Sequence, residues 1–190
     1  MTSRLQSSAM RSLSVVTPSL TVLLVARDAR ELFNKAGGIG YLARHLRVRK
    51  NQSDSKPNEG GASVQQVYEL CYCLWLMSFD CGDSQQTRDH FQRDGAVPAL
   101  VDLVSASPRE KVVRLALSAL RNLAVCKADI FDDSSTKRRT SGLVFLKEMI
   151  GCGLIKFVDQ MKERKWKDPD LIEGTIRRTL AAYFVCLVGC

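Results

Sequence analysis

Three segments of this 190-residue chain share one pattern at nearly equal intervals: Ala36–Leu46 (AGGIGYLARHL), Asp94–Val104 (DGAVPALVDLV) and Gly151–Met161 (GCGLIKFVDQM). Each has a small residue, an aliphatic residue two positions on, and a large apolar residue three positions after that. The sets are Gly37, Ile39, Leu42; Gly95, Val97, Leu100; and Cys152, Leu154, Phe157. The small residues lie 58 and 57 positions apart. Such spacing is the signature of a repeat array, in which each unit stacks on its neighbour because none can bury its apolar face alone.

The sequence between the copies has helical spacing. In Val112–Val125 (VVRLALSALRNLAV), residues Val113, Ala116, Leu117, Leu120, Leu123 and Ala124 follow one helix face, with Arg114, Ser118, Arg121 and Asn122 on the other side. Leu115 and Ala119 widen the apolar arc, so this helix is expected to be covered on more than one flank. Val64–Phe79 repeats the pattern, with Val64, Val67, Tyr68, Cys71, Leu74 and Trp75 sharing a face that Leu70, Cys73 and Met77 extend. Both segments are too long for strands, and alternation bounded by turn residues is hard to find, so the chain is expected to be all-α. Gly95 can close the helix containing RDHFQRD in the left-handed conformation, and Pro98 then falls in the first turn of the next helix, where its missing N–H has no helical partner to lose. Pro108 in SASPREK is expected to start a third helix. Polar stretches at Arg49–Ser63 and Lys127–Gly142 read as loops. Removing about 15 residues of such loop leaves a unit of about 42, within the range of armadillo and HEAT repeats.

Composition excludes several function classes. The formal charge of +8 admits an acidic partner, but Lys and Arg are spread along the chain, which does not favour nucleic acid. The seven cysteines, Cys71, Cys73, Cys81, Cys126, Cys152, Cys186 and Cys190, are odd in number and lie mostly in apolar segments, as buried free thiols do. Cys71 and Cys73 diverge by about 200° on a helix and only His45 and His90 could supply ring nitrogens, so no metal is expected. The first twenty residues carry Arg4, Arg11 and several serines with no acid before Asp28, like a transit peptide, yet apolar residues continue through Val25, which favours an incomplete first helix. No apolar run reaches the roughly 18 residues of a bilayer span.

Enzyme signatures are weak. Gly38-x-Gly40-x-x-Ala43 is a partial dinucleotide fingerprint, but ARELFNKA ahead of it is helical in character, where the motif needs a strand. A nucleotide-binding protein using the Gly37–Gly40 turn remains the enzyme-class alternative. His45 and His90 sit among charged residues as solvated or interface side chains do, and Asp132 and Asp133 fall in a loop without the burial that tunes a general acid. Binding is the natural use of a stacked solenoid, whose long surface is lined by each unit's third helix. Arg114, Ser118, Arg121 and Asn122 are the candidate partner-binding residues there.

The run GAVPALVDLVSASPREKVVRLALSALRNLAV resembles one armadillo repeat from its second helix through its third. In order along the chain, RELFNKAGGIGYLARHL, VYELCYCLWLMSFD, HFQRDGAVPALVDLV, REKVVRLALSALRNL and LKEMIGCGLIKFVDQMKERKWKDPDL resemble the H subunit of the vacuolar-type proton-translocating ATPase, over roughly residues 25 to 178. The most specific elements are the Trp75 helix, the EKV entry followed by Arg121-Asn122, and MIGCGLIK followed by Asp168 and Asp170. The resemblance implies a right-handed armadillo/HEAT-like α-solenoid of about three repeats, with residues 1–190 forming a single, partial armadillo-like domain. It also implies a non-catalytic regulatory subunit with no cofactor and no metal. Its expected partners are the pump's peripheral stalk and soluble catalytic sector, on the cytosolic face of vacuolar and other endomembranes, without nucleic acid or direct membrane insertion.

Members of that family also have earlier repeats and a smaller C-terminal domain that helps silence ATP hydrolysis when the soluble sector detaches. Neither has a counterpart here, and AAYFVCLVGC is apolar where the family continues as a charged amphipathic helix. A truncated or misjoined chain is therefore expected, with an apolar helix capping a short array as the alternative. Asn122 matches the position where nuclear-import armadillo proteins keep a cargo-binding asparagine. Those proteins also keep a tryptophan four residues earlier, where this chain has Ser118, which favours an Asn122 that caps or bridges neighbouring helices. A generic armadillo protein-binding adaptor is the alternative function.

Overall fold

The computed structural model describes residues 15–50, 64–125 and 141–188. Of the twenty transit-like residues, 1–14 lie outside them, as do Cys126, Cys190, Asp132 and Asp133. Helix α1 covers 15–23, followed by α2 (Arg27–Lys35), α3 (Gly38–Lys50), α4 (Val64–Ser78), a 3-10 turn (Phe79–Cys81), α5 (Gln85–Arg93), α6 (Ala96–Ala106), α7 (Glu110–Ala124), α8 (Ser141–Gly151), α9 (Leu154–Lys162) and α10 (Pro169–Val188). No strand occurs among the described residues. Arg49 and Lys50 continue α3, and Ser141 and Gly142 open α8, so both expected loops are shorter than the polar sequence suggests.

The helices form three units of three: α2–α3–α4, α5–α6–α7 and α8–α9–α10. Second helices stack in the order α3, α6, α9, and third helices in the order α4, α7, α10. This is an all-α armadillo-like solenoid. The chain passes from first to second helix through a glycine with positive φ each time: Gly37 at 79°, Gly95 at 74° and Gly153 at 84°. These are the only positive-φ residues among those described, and the conformation is one that glycine adopts without a Cβ penalty.

That junction corrects the third copy of the sequence pattern. Its anchor is Gly153, one residue beyond Cys152, because the left-handed turn requires glycine. In this register Leu42, Leu100 and Val158 are equivalent, and all three are buried. Phe157 is half-buried, and Ile155 is 49% exposed. Pro98 lies in the first turn of α6 as expected. Pro108 does not start α7, whose N-cap is Arg109; Ser107 Oγ accepts the Arg109 N–H at 3.2 Å and turns the chain one residue later.

Helix α7 runs through the centre. Val112, Val113, Ala116, Leu117, Ala119, Leu120, Leu123 and Ala124 are all buried; of the two residues that widen the apolar arc, Ala119 is covered and Leu115 is only half-buried. In α4 the buried face is rotated from the expected one. Leu70, Cys73, Leu74 and Met77 are buried together with the polar Gln66 and Glu69, whereas Val64 is 51% exposed and Tyr68 and Trp75 are half-buried. The cause is packing between α3 and α7, which covers two sides of α4 and leaves its aromatic edge outside.

Cys71, Cys73 and Cys81 are buried reduced thiols, and Cys152 is half-buried. Burial pushes the Cys71 thiol up. Burial, aided by the nearby Glu69 charge, pushes Cys73 up to about 12. Such thiols are inert at neutral pH.

Candidate partner-binding site

The third helices α4, α7 and α10 lie side by side. Between them Lys111, Arg114, Leu115 and Ser118 of α7 line a cleft of about 340 Å³ with Tyr68 of α4 and Thr175 of α10. Arg114 is half-buried. Its Nη1 lies 4.0 Å from Glu110 Oε1, and its buried Nε has no hydrogen-bond partner among the described residues. Glu110 Oε2 in turn accepts the Asp168 N–H at 3.3 Å from the loop before α10.

The four candidate residues of α7 separate into two kinds. Arg114 and Ser118 meet in the cleft, and Arg121 follows about two turns of helix beyond Arg114, half-exposed. Asn122 is turned toward α4, where its Nδ2 donates to Ser78 Oγ at 2.9 Å. Ser78 Oγ passes its own hydrogen to the Trp75 carbonyl at 2.6 Å. Asn122 thus bridges two third helices.

An aromatic row on α4 and the first residue of the following 3-10 turn lies beside the site, and the sequence pattern above does not single it out. Tyr68 and Tyr72 stack with centroids 6.2 Å apart, Tyr72 meets Trp75 at 5.3 Å, and Trp75 meets Phe79 edge-on at 4.9 Å. Its spacing of four, three and four residues is the signal that could have found it, since such residues share one helix face. The apolar reading of α4 instead assigns Tyr68 and Trp75 to the core.

The partial dinucleotide fingerprint lies at a different place. A second cleft of about 350 Å³ is lined by Gly37, Gly40, Arg44, His90, Arg93 and Asp94. Helix α2 precedes it, where the motif needs a strand. A Cβ on Gly38 would run into the Phe33 ring, and one on Gly40 would lie 3.1 Å from Asp94 Oδ2, so these glycines admit close helix packing. His90 Nδ1 pairs with Asp94 Oδ2 at 2.8 Å, and Arg93 Nε donates to Asp94 Oδ1 at 3.0 Å. Partial burial pushes the Asp94 carboxyl up, but the hydrogen bonds and charges of His90 and Arg93 outweigh it and hold Asp94 below the usual carboxylate range. His45 meets the Tyr41 ring at 4.4 Å. Among the described residues no cluster of three His, Cys, Asp or Glu is placed to hold a metal ion, and no helix is long and apolar enough to cross a membrane.

Residues 1–175 match the protein family of the V-ATPase H subunit. The chain belongs to that family. It is 30% identical over 155 residues to a probable V-type proton ATPase H subunit of Oryza sativa subsp. japonica, covering 82% of this chain and 28% of that protein. It is 28% identical to the V-type proton ATPase H subunit of Dictyostelium discoideum (80% of this chain, 28% of that one) and 26% identical to that of Drosophila melanogaster (82% and 28%). The chain thus spans less than a third of the length of these relatives. Among solved structures it is similar to computationally designed armadillo repeat proteins for modular peptide recognition, at TM-score 0.46 and 12% identity over 88% of this chain and 74% of that one. It is also similar to a designed armadillo repeat protein in complex with the peptide (KR)4, at TM-score 0.41 and 14% identity over 93% and 92%.

Proposed function

We propose that this member of the family is a non-catalytic regulatory and structural component of the soluble sector of the vacuolar-type proton-pumping ATPase. In this reading residues 1–190 form one armadillo-like unit that docks on the peripheral stalk through its third helices. It contributes to proton transport by positioning surfaces, while ATP chemistry belongs to partner subunits. No cofactor, metal or nucleic acid takes part, and the chain is held at the cytosolic face of vacuolar and other endomembranes by the complex.

The observation that carries the reading is the third-helix face itself. In a chain of this pump-subunit family, Arg114, Ser118 and Arg121 line a side of the solenoid where Lys111 and Arg121 have no ion-pair partner among the described residues. Charged side chains that a fold leaves unpaired at a cleft are those a partner can use.

Affinity purification of the tagged chain from cells tests this. Recovery of peripheral-stalk and catalytic-sector subunits is expected, and replacing Arg114 and Arg121 together by glutamate should abolish it. Absence of every pump subunit from the recovered proteins sinks the proposal. Capture of unrelated proteins through the same face would instead identify an armadillo adaptor of another pathway.

A further inference from the structure

The channel between α4 and α7 has two walls of different chemistry. On α4 stand Tyr68, Tyr72 and Trp75, followed by Phe79 of the 3-10 turn, which is 50% exposed. On α7 stand the cations Lys111, Arg114 and Arg121. The two helices run parallel, because Tyr68 shares a cleft with Lys111 to Ser118 while Ser78, further along α4, meets Asn122, further along α7. Tyr68, Lys111 and Arg114 therefore share one cleft, and the rest of the aromatic row and Arg121 continue from it along the same two helices. We propose that this channel holds an extended acidic segment of a partner polypeptide, with carboxylates on Arg114 and Arg121 and its apolar parts against the aromatic row. The inference rests on the third-helix face being the docking surface, and adds the chemistry of what docks there.

Charge is the first argument. The acids on these walls are engaged: Glu69 is buried and accepts the Gln65 amide at 2.8 Å, and Glu110 accepts the Asp168 N–H. Among the described residues the cations are less so: Lys111 and Arg121 make no ion pair, Arg114 Nε is buried with no hydrogen-bond partner, and Arg114 Nη1 reaches Glu110 Oε1 only at 4.0 Å. A guanidinium presents a planar fork that matches a carboxylate.

Spacing is the second argument. Arg114 and Arg121 lie seven residues apart on α7, or about 10 Å along the axis. A polyproline-II segment returns to the same face every three residues, about 9 Å on. Carboxylates at every third position of such a segment would meet both arginines. A nucleic-acid strand fits less well, since Leu115 and Ser118 interrupt the cations that a phosphate backbone would track. The rings are also turned against one another, Trp75 and Phe79 at 70°, so they do not offer a row of free faces on which bases would stack.

The test is fluorescence anisotropy with the full chain and three labelled probes. The probes are a peptide of about twelve residues with glutamate at every third position, the same peptide with lysine in those places, and an oligouridine of matching length. The glutamate peptide should bind and the lysine peptide should not. Arg121→Glu should weaken binding about tenfold or more. Ser118→Glu, which puts a carboxylate into the channel while leaving both arginines in place, should do the same with an unchanged circular dichroism spectrum. The inference is overturned if neither peptide binds, if both bind equally, if both variants bind like the parent, or if oligouridine competes better than the glutamate peptide. A chain that captures pump subunits but ignores the glutamate peptide removes this inference alone. One that binds the peptide but captures no pump subunit removes the pump assignment and leaves the channel chemistry standing.

Discussion

The first-helix side and the third-helix side of this solenoid use charge in opposite ways. On the first-helix side, Arg30 gives Nε and Nη2 to the two oxygens of Asp80 at 2.7 and 2.9 Å, and Nη1 to the Leu24 and Val25 carbonyls. Its bond to Asp80 holds the guanidinium pKa above its ordinary value, against the opposing effect of burial. Arg88 Nη1 donates to the Cys81 and Gly82 carbonyls, and Asn34 Nδ2 reaches Thr87 Oγ1 between the first helices of two repeats. These bonds tie the turn after α1, α2, the 3-10 turn and α5 into one block. On the third-helix side Arg114 reaches Glu110 only at 4.0 Å, and Arg121 makes no ion pair among the described residues. The first-helix side is held by paired charges, and the third-helix side is much less so.

The sharpest way to break this contrast is to remove one partner from the paired side. Asp80→Ala leaves the Arg30 guanidinium buried and uncompensated, and should reduce stability by about 3–5 kcal/mol. That is a large part of a typical total of about 5–15 kcal/mol. Urea denaturation monitored by circular dichroism measures it. A loss below about 1 kcal/mol would show that the first-helix block is not held by this pair, since only exposed ion pairs are that weak.

The glycine turns belong to the same locked side. At Gly37 a Cβ would meet nothing within 4 Å, so the effect of Gly37→Ala isolates the backbone. At φ 79° an alanine should cost about 1–2 kcal/mol. Gly82 has equally open space but φ −63°, where alanine restricts only the unfolded chain. Gly82→Ala should therefore be neutral or stabilising by up to about 1 kcal/mol. Thermal melts of the two variants should move in opposite directions, and equal shifts would contradict the role given to positive φ.

Much of this architecture is legible in the sequence because it is local. The α7 face, the Gly95 stop and Pro98 follow from helical period and backbone preference, which neighbouring residues carry. Cys152 stands in for Gly153 in the repeat pattern because a volume pattern tolerates a shift of one residue, whereas a left-handed φ does not. The α4 face comes out rotated because hydrophobicity cannot tell a side chain that faces a neighbouring helix from an aromatic one that edges a groove. Arg30 and Asp80 lie fifty residues apart, with no local signal joining them. At the candidate site, Arg114 and Ser118 follow by elimination from the apolar face; the aromatic row is legible in its own spacing, but that it stands beside them depends on α4 and α7 being adjacent, which no local signal carries.

Asn122 tests where the boundary between the two kinds of surface lies. Its amide is occupied by Ser78, so Asn122→Ala should lower stability by about 1 kcal/mol. Ser78→Ala should lose a similar amount, and the double variant should lose less than the sum, because both remove the same bond. A strictly additive double-mutant cycle would mean that the bridge contributes nothing and that the Asn122 amide is free for a ligand.

Arg121→Ala is expected to be the quietest of these changes in the isolated chain. Among the described residues its side chain makes no ion pair, so stability should move by no more than about 0.5 kcal/mol. Its effect should appear only when a partner is present, as a faster dissociation rate and a weaker dependence on salt. The two measurements have to be read together. If Arg121→Ala destabilised the chain as Asp80→Ala does, the third-helix side would be a structural face like its opposite, and the cations there would be holding repeats together. A variant that melts like the parent but releases its partner faster places Arg121 on a surface whose charge is satisfied from outside the chain.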